Sequence, residues 1–129
     1  MQEQEKTTLT ADHIKNVFAR YCELYTGGDL DGVVALYAAD ATVEDPIGSE
    51  PYHGHTRIRE FYAGSIGSVT LEMDGRPRVA GNHGVGPLRA TPKDAGGMYI
   101  ETTDVMEFND EGLITSMTAY WSPDTIYQD

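Results

Sequence analysis

The chain has 129 residues, and its 21 acidic and nine basic side chains leave a formal net charge of −12. That length suits one globular domain, and 40% hydrophobic with 23% charged residues excludes a disordered chain. The acidic balance disfavours binding to nucleic acid or an anionic membrane, and the lone Cys22 excludes a disulfide framework or a cysteine-cluster metal site.

Residues 1–9 read as a disordered lead-in and 10–129 as a single domain. Neither a signal peptide nor an apolar stretch of the ~20 residues that a membrane span needs is present, which points to the cytoplasm. Thr10 is placed to cap a helix whose inward stripe is Ile14, Val17, Phe18, Tyr21, Leu24 and Tyr25. Gly27-Gly28 ends it, and Asp29 caps a second helix with Leu30, Val33, Val34 and Tyr37 inward. A strand over 41–45 stops at Pro46, a turn-rich loop covers 47–51, and Thr56 caps a third helix reaching about residue 66, with Ile58, Phe61 and Tyr62 inward. The second half reads as strands at 69–74, 77–80, 82–90, 98–109 and 113–122, with a turn at 110–112 joining the last two. This order predicts an α+β fold: three N-terminal helices packed on a curved, mostly antiparallel sheet that encloses a conical pocket.

Two aspartates break the pattern. Side chains alternate along a strand, so Met98, Ile100, Thr102, Asp104, Met106 and Phe108 share one face, and Asp104 is the charged member of an otherwise core-like row. In the shorter strand, Ala41 and Val43 share a face with Asp45. A buried carboxylate is costly unless paired, hydrogen-bonded or protonated, and none of the nine basic residues falls on an inward face. Tyr21, Tyr25, Tyr37 and Tyr62 do. One inward tyrosine is an ordinary core filler, but several beside two inward acids describe a polar constellation in an apolar pocket. On the outer face of the sheet, Ile114, Tyr120 and Val105 are apolar enough for a subunit contact.

Other motifs carry little. His53 and His55 are two residues apart with no third ligand at a suitable spacing, Gly84-Val85-Gly86 lacks the rest of a phosphate loop, and Ser65, Ser116 and Cys22 have no evident base.

Several runs resemble the bacterial 3-oxo-Δ5-steroid isomerases (ketosteroid isomerases): residues 28–37 with the following Asp40-Ala41-Thr42-Val43-Glu44-Asp45-Pro46, then Glu60-Phe61-Tyr62, Asp104-Val105-Met106-Glu107-Phe108 and Met117-Thr118-Ala119-Tyr120-Trp121. The resemblance covers roughly residues 11–123. It implies the cone-shaped fold of the nuclear transport factor 2 (NTF2)-like superfamily, a homodimer, a small apolar steroid substrate, and no metal, nucleotide or redox cofactor. It also implies that Asp45 is the base, and that Tyr21 and a protonated Asp104 form the oxyanion hole. Tyr37 and Tyr62 fall where one branch of the family hydrogen-bonds in series behind the phenol, and Trp121 where that branch positions the base. Phe61, Met106 and Met117 are expected around the pocket. The residues that differ most, 85–97, concern the substrate channel. Two further functions remain on such a fold: a dehydratase or polyketide cyclase, and a non-catalytic binder of apolar ligands.

Overall fold

The computed structural model describes residues 9–129. The lead-in expected at 1–8 lies outside them, and Leu9, read as part of it, packs against the core. Helix α1 (Ala11–Thr26) starts at the expected cap, where the Thr10 hydroxyl accepts from the His13 backbone N–H at 3.0 Å and satisfies one of the donors left free in the first turn. Its stripe of Ile14, Val17, Phe18, Tyr21 and Tyr25 is buried, and Gly28, at φ +80°, turns the chain away. The Asp29 side chain caps α2 (Leu30–Val34) by accepting from Gly32 N–H at 2.9 Å.

Tyr37 is not on that helix, contrary to the sequence reading. It opens β1 (Tyr37–Glu44), because α2 closes after five residues and the backbone is then taken up by pairing with Ile114. The spacing 30, 33, 34, 37 fits a helical stripe, yet a buried side chain at a strand entrance satisfies it equally well. After β2 (Tyr52–His53) comes α3 (Gly54–Ala63), earlier at both ends than expected. No side chain caps it: the chain runs straight from β2 through Gly54 at φ +86°, and Thr56 lies inside the first turn.

The strands β3 (Val69–Met73), β4 (Arg78–Ala80), β5 (His83–Pro92), β6 (Met98–Phe108) and β7 (Ile114–Tyr120) follow, then a 3-10 turn at Pro123–Thr125 and β8 (Ile126–Gln128), which the sequence reading missed. The sheet runs β2-β1-β7-β6-β5-β3, with β4 also on β5 and β8 on β6. Most neighbours are antiparallel, but β1 and β7 pair parallel, so the sheet is mixed, curved and unclosed. α1 covers β3, β4 and β5, while α3 covers β1 and β2. Ile114, expected on the outer face, is fully buried: an irregularity between Glu107 and Phe108 shifts the β6–β7 register and reverses the parity of the strand's start. Tyr120 does face outward, with 45% of its surface exposed.

Two glycines set how close α1 comes to the sheet. A Cβ on Gly84 would lie 2.6 Å from Ile14 Cγ2, and one on Gly86 would lie 2.7 Å from Phe18 Cε1. Only the absence of side chains on β5 lets these two helix residues rest on the strand. Among the described residues, no helix is long and apolar enough to cross a membrane.

Candidate active site

Helices and sheet enclose a cavity of about 290 Å³. That is near the lower bound of small-molecule sites, which run from roughly 300 to 1,000 Å³. Asp104, central in β6, is flanked in register by Gly86 on β5 and Ala119 on β7. Directly opposed residues share a face: Phe18 fills the space over Gly86, while the short side chain of Ala119 lines the cavity beside the Asp104 carboxyl.

Asp104 is 3% exposed, its backbone paired in the sheet between β5 and β7 and its carboxyl on the cavity wall. Burial pushes its carboxyl well above the usual range, the charge of Asp45 adds to this, and the neighbouring Thr102 hydroxyl opposes both as the smallest influence. That hydroxyl is itself buried and outside hydrogen-bonding geometry to any group.

The tyrosines form a chain. Tyr21 and Tyr62 hydroxyls are 3.0 Å apart, and those of Tyr62 and Tyr37 are 2.7 Å apart. Three hydroxyls joined by two bonds leave one proton unspent. Running the donation from Tyr37 through Tyr62 to Tyr21 leaves that proton on Tyr21, which lines the cavity. The reverse sense would strand it on Tyr37, which is 1% exposed and has no other hydroxyl partner. Burial raises the pKa of Tyr21 and Tyr62 well above the phenol value, so both remain protonated at neutral pH.

Asp45 follows the last residue of β1 and also lines the cavity, half-buried. Ile47 N–H donates to Ala119 O at 2.8 Å and pins the loop beside the strand neighbour of Asp104. Trp121 Nε1–H donates to Asp45 Oδ1 at 2.7 Å. Desolvation raises the Asp45 pKa, and the indole N–H pulls it back by stabilising the charged form.

Of the residues singled out in the sequence, Tyr21, Asp45, Asp104, Tyr62, Phe61 and Trp121 share this cavity. Tyr37 stands behind it in the tyrosine chain. Met106 and Met117, at 0% and 1% exposure, are core residues off the cavity wall, one layer beyond Asp104 and Ala119. Sequence reading had placed Tyr25 inward but missed its partner, Ser65: their hydroxyls are 2.7 Å apart and both line the cavity. Ser65 lies in irregular chain after α3, where periodicity carries no orientation signal. Among the described residues, no group of three or more His, Cys, Asp or Glu side chains is arranged to hold a metal ion.

This pairing of fold and site defines a class. Residues 18–117 match the SnoaL-like domain, and the chain belongs to that family of NTF2-like proteins. Within it, the chain is 40% identical over 112 residues to a steroid Delta-isomerase from Nocardioides simplex, an alignment covering 85% of this chain and 90% of the relative, and this supports isomerase activity. It is also 31% identical over 116 residues, 83% of its length, to epoxide hydrolase LasB from Streptomyces lasalocidi, of which the alignment covers 40%.

Proposed function

We propose that the protein is a steroid Δ-isomerase that moves the C5=C6 double bond of a 3-oxo-Δ5-steroid to C4=C5. The observation that carries this reading is the opposed state of two carboxyls in one apolar cavity. Asp104 is 3% exposed and burial raises its carboxyl pKa well above the usual range, while Asp45 is half-buried and accepts an indole N–H that favours its charged form. Isomerisation needs both states at once.

Asp45 takes the C4 proton, and the electron pair released moves into the ketone as a dienolate with its charge on the C3 oxygen. Tyr21 and Asp104 each donate a hydrogen bond to that oxygen, where no bulk water competes. Asp45 then returns the same proton at C6, the double bond settles at C4=C5, and the enzyme is restored. One carboxylate serves both transfers because it stays within reach of both carbons. A base with a moderately raised pKa suits the task, provided that it is ionised at working pH.

A dehydratase or cyclase acting on an activated hydroxyl typically uses an imidazole as its acid. Here His13 and His55 bond the backbone carbonyls of Gly112 and Tyr37, His53 bonds Thr42, His83 lies beside Glu107, and none lines the cavity. The test is an absorbance assay with 5-androstene-3,17-dione. Appearance of the conjugated enone is expected, and its absence with folded enzyme overturns the reading.

The same reading includes a homodimer built on the outer face of the sheet. Val85 and Tyr120 leave 38% and 45% of their surface exposed there, on the face opposite the cavity. Sedimentation at micromolar concentration is expected to give a dimer, and a monomer removes this part alone.

A further inference from the structure

Among the described residues, one buried side-chain oxygen stands without a hydrogen-bond partner: Thr102 Oγ1. An unpaired buried hydroxyl is costly, and valine would fill nearly the same volume on a strand without that cost. Thr102 lines the cavity, yet its oxygen is sealed from it, so a ligand meets the rest of the side chain. The partner has to come from the wall itself.

The register of β6 narrows the choice to one residue. Side chains two apart on a strand share a face, so the neighbours of Thr102 along β6 are Ile100 and Asp104. Across the sheet it pairs with Leu88 on β5, which is 1% exposed, and pairing with β7 ends one residue away at Thr103–Tyr120. Ile100 and Leu88 have no polar side-chain atom. Asp104 has two, about 6.6 Å along the strand at a rise of roughly 3.3 Å per residue, a span that a hydroxyl and a carboxyl leaning along the strand can close. Of the influences on the Asp104 carboxyl, the Thr102 hydroxyl is the one that favours the charged form.

The proposed reaction supplies the occasion. As Asp104 gives its hydrogen bond to the dienolate oxygen, its O–H bond loosens and negative charge builds on the carboxyl. A hydroxyl beside that carboxyl then donates to a charged acceptor, and such a bond is roughly twice as strong as one between neutral groups.

We propose that Thr102 is a positioning residue: in the liganded site its hydroxyl donates to the Asp104 carboxyl, holding the acid with its own O–H toward the ligand oxygen and stabilising the charge that gathers there. No proton leaves Thr102, and it makes no hydrogen bond to the ligand. The inference rests on the steroid isomerase reading and adds a group behind the acid of the oxyanion hole.

The experiment pairs Thr102→Val, which removes the hydroxyl at nearly constant shape, with Thr102→Ser, which keeps it. Thr102→Val is expected to lower kcat for 5-androstene-3,17-dione by about 3–10-fold, the range for one ordinary hydrogen bond, with KM little changed. Thr102→Ser is expected to recover most of that loss. Affinity for estradiol, whose ring-A phenol stands in for the dienolate oxygen at C3, is measured in parallel by calorimetry. Thr102→Val is expected to weaken it by a similar factor when Asp104 is present and to leave it unchanged in the Asp104→Leu background, whereas a merely structural role would weaken it equally in both. An unchanged kcat in Thr102→Val, a loss that Thr102→Ser does not recover, or an equal loss of estradiol affinity with and without Asp104 overturns the inference and leaves the isomerase standing. If wild type turns over no steroid but Thr102→Val weakens estradiol binding only where Asp104 is present, the isomerase reading falls and the Thr102–Asp104 contact stands. No turnover together with no such difference overturns both.

Discussion

Asp104 and Asp45 are the same residue type on the walls of one cavity, and their surroundings drive them to opposite uses. Asp104 sits in the middle of a central strand, 3% exposed, with only the neighbouring Thr102 hydroxyl favouring its charged form. Asp45 sits where a strand gives way to a loop, partly open and held by an indole N–H. Desolvation acts on both; the Trp121 indole N–H offsets it at Asp45, whereas at Asp104 the charge of Asp45 adds to it and the Thr102 hydroxyl is the smallest influence. Position along a strand thus sets the two carboxyls in different surroundings, and the proposed mechanism uses one as acid and the other as base.

The sharpest way to break this contrast is to remove the base. Asp45→Asn keeps the shape, deletes the proton acceptor, and is expected to lower turnover by about 10²–10⁴-fold while steroid affinity survives. Near-normal turnover in the purified variant would end the assignment. On the donor side, Tyr21→Phe is expected to cost on the order of 10²–10³-fold, in kcat more than in KM, because the lost bond strengthens as charge develops. A change in KM alone would make Tyr21 a binding residue.

Asp104 is tested through its proton. A folded-state pKa raised by burial leaves stability untouched below the unfolded carboxyl value of about 3.9, and stability then falls as pH rises toward the folded value. The slope in that window is about 1.4 kcal/mol per pH unit. Asp104→Asn has no such proton, so its stability relative to wild type should be greater at pH 8 than at pH 4 in urea unfolding. Asparagine still offers an N–H, so this variant should also be about tenfold or more as active as Asp104→Leu. A gap that stays flat with pH, or two equally crippled variants, would mean that Asp104 is ionised in the fold. The smallest effect is expected from Trp121→Phe, which strips Asp45 of its donor. The acid limb of kcat/KM should move to higher pH, with a loss of about 2–10-fold at neutral pH. A limb that stays in place would show that the indole does not tune the base.

The inward rows of α1 and β6 could be read from periodicity alone, and with them Tyr21, Tyr25 and Asp104, because each lies inside a long regular element. Errors gathered where elements are short or irregular. Tyr37 kept its burial but changed from helix to strand, since both periods admit position 37 once α2 stops at Val34. Ile114 was turned the wrong way by a register shift that leaves no mark in the residue pattern. The parallel pairing of β1 with β7 joins segments some seventy residues apart in sequence, beyond the reach of local signals. Ser65 was weighed only as a nucleophile, and its bond to Tyr25 was missed for a related reason: the two meet through space, from a turn.

Phe18, resting on Gly84 and Gly86, has a consequence for the proposed chemistry. Phe18 precedes Tyr21 by nearly one turn of the same helix face, and Gly86 is the register partner of Asp104. The two proposed donors are therefore mounted on parts that already touch ring against backbone. A gap defined in this way resists both widening and narrowing. It can be sized for a charged oxygen without collapsing onto a neutral one, and a single methyl group added at Gly86 would alter it without altering any group that donates a proton.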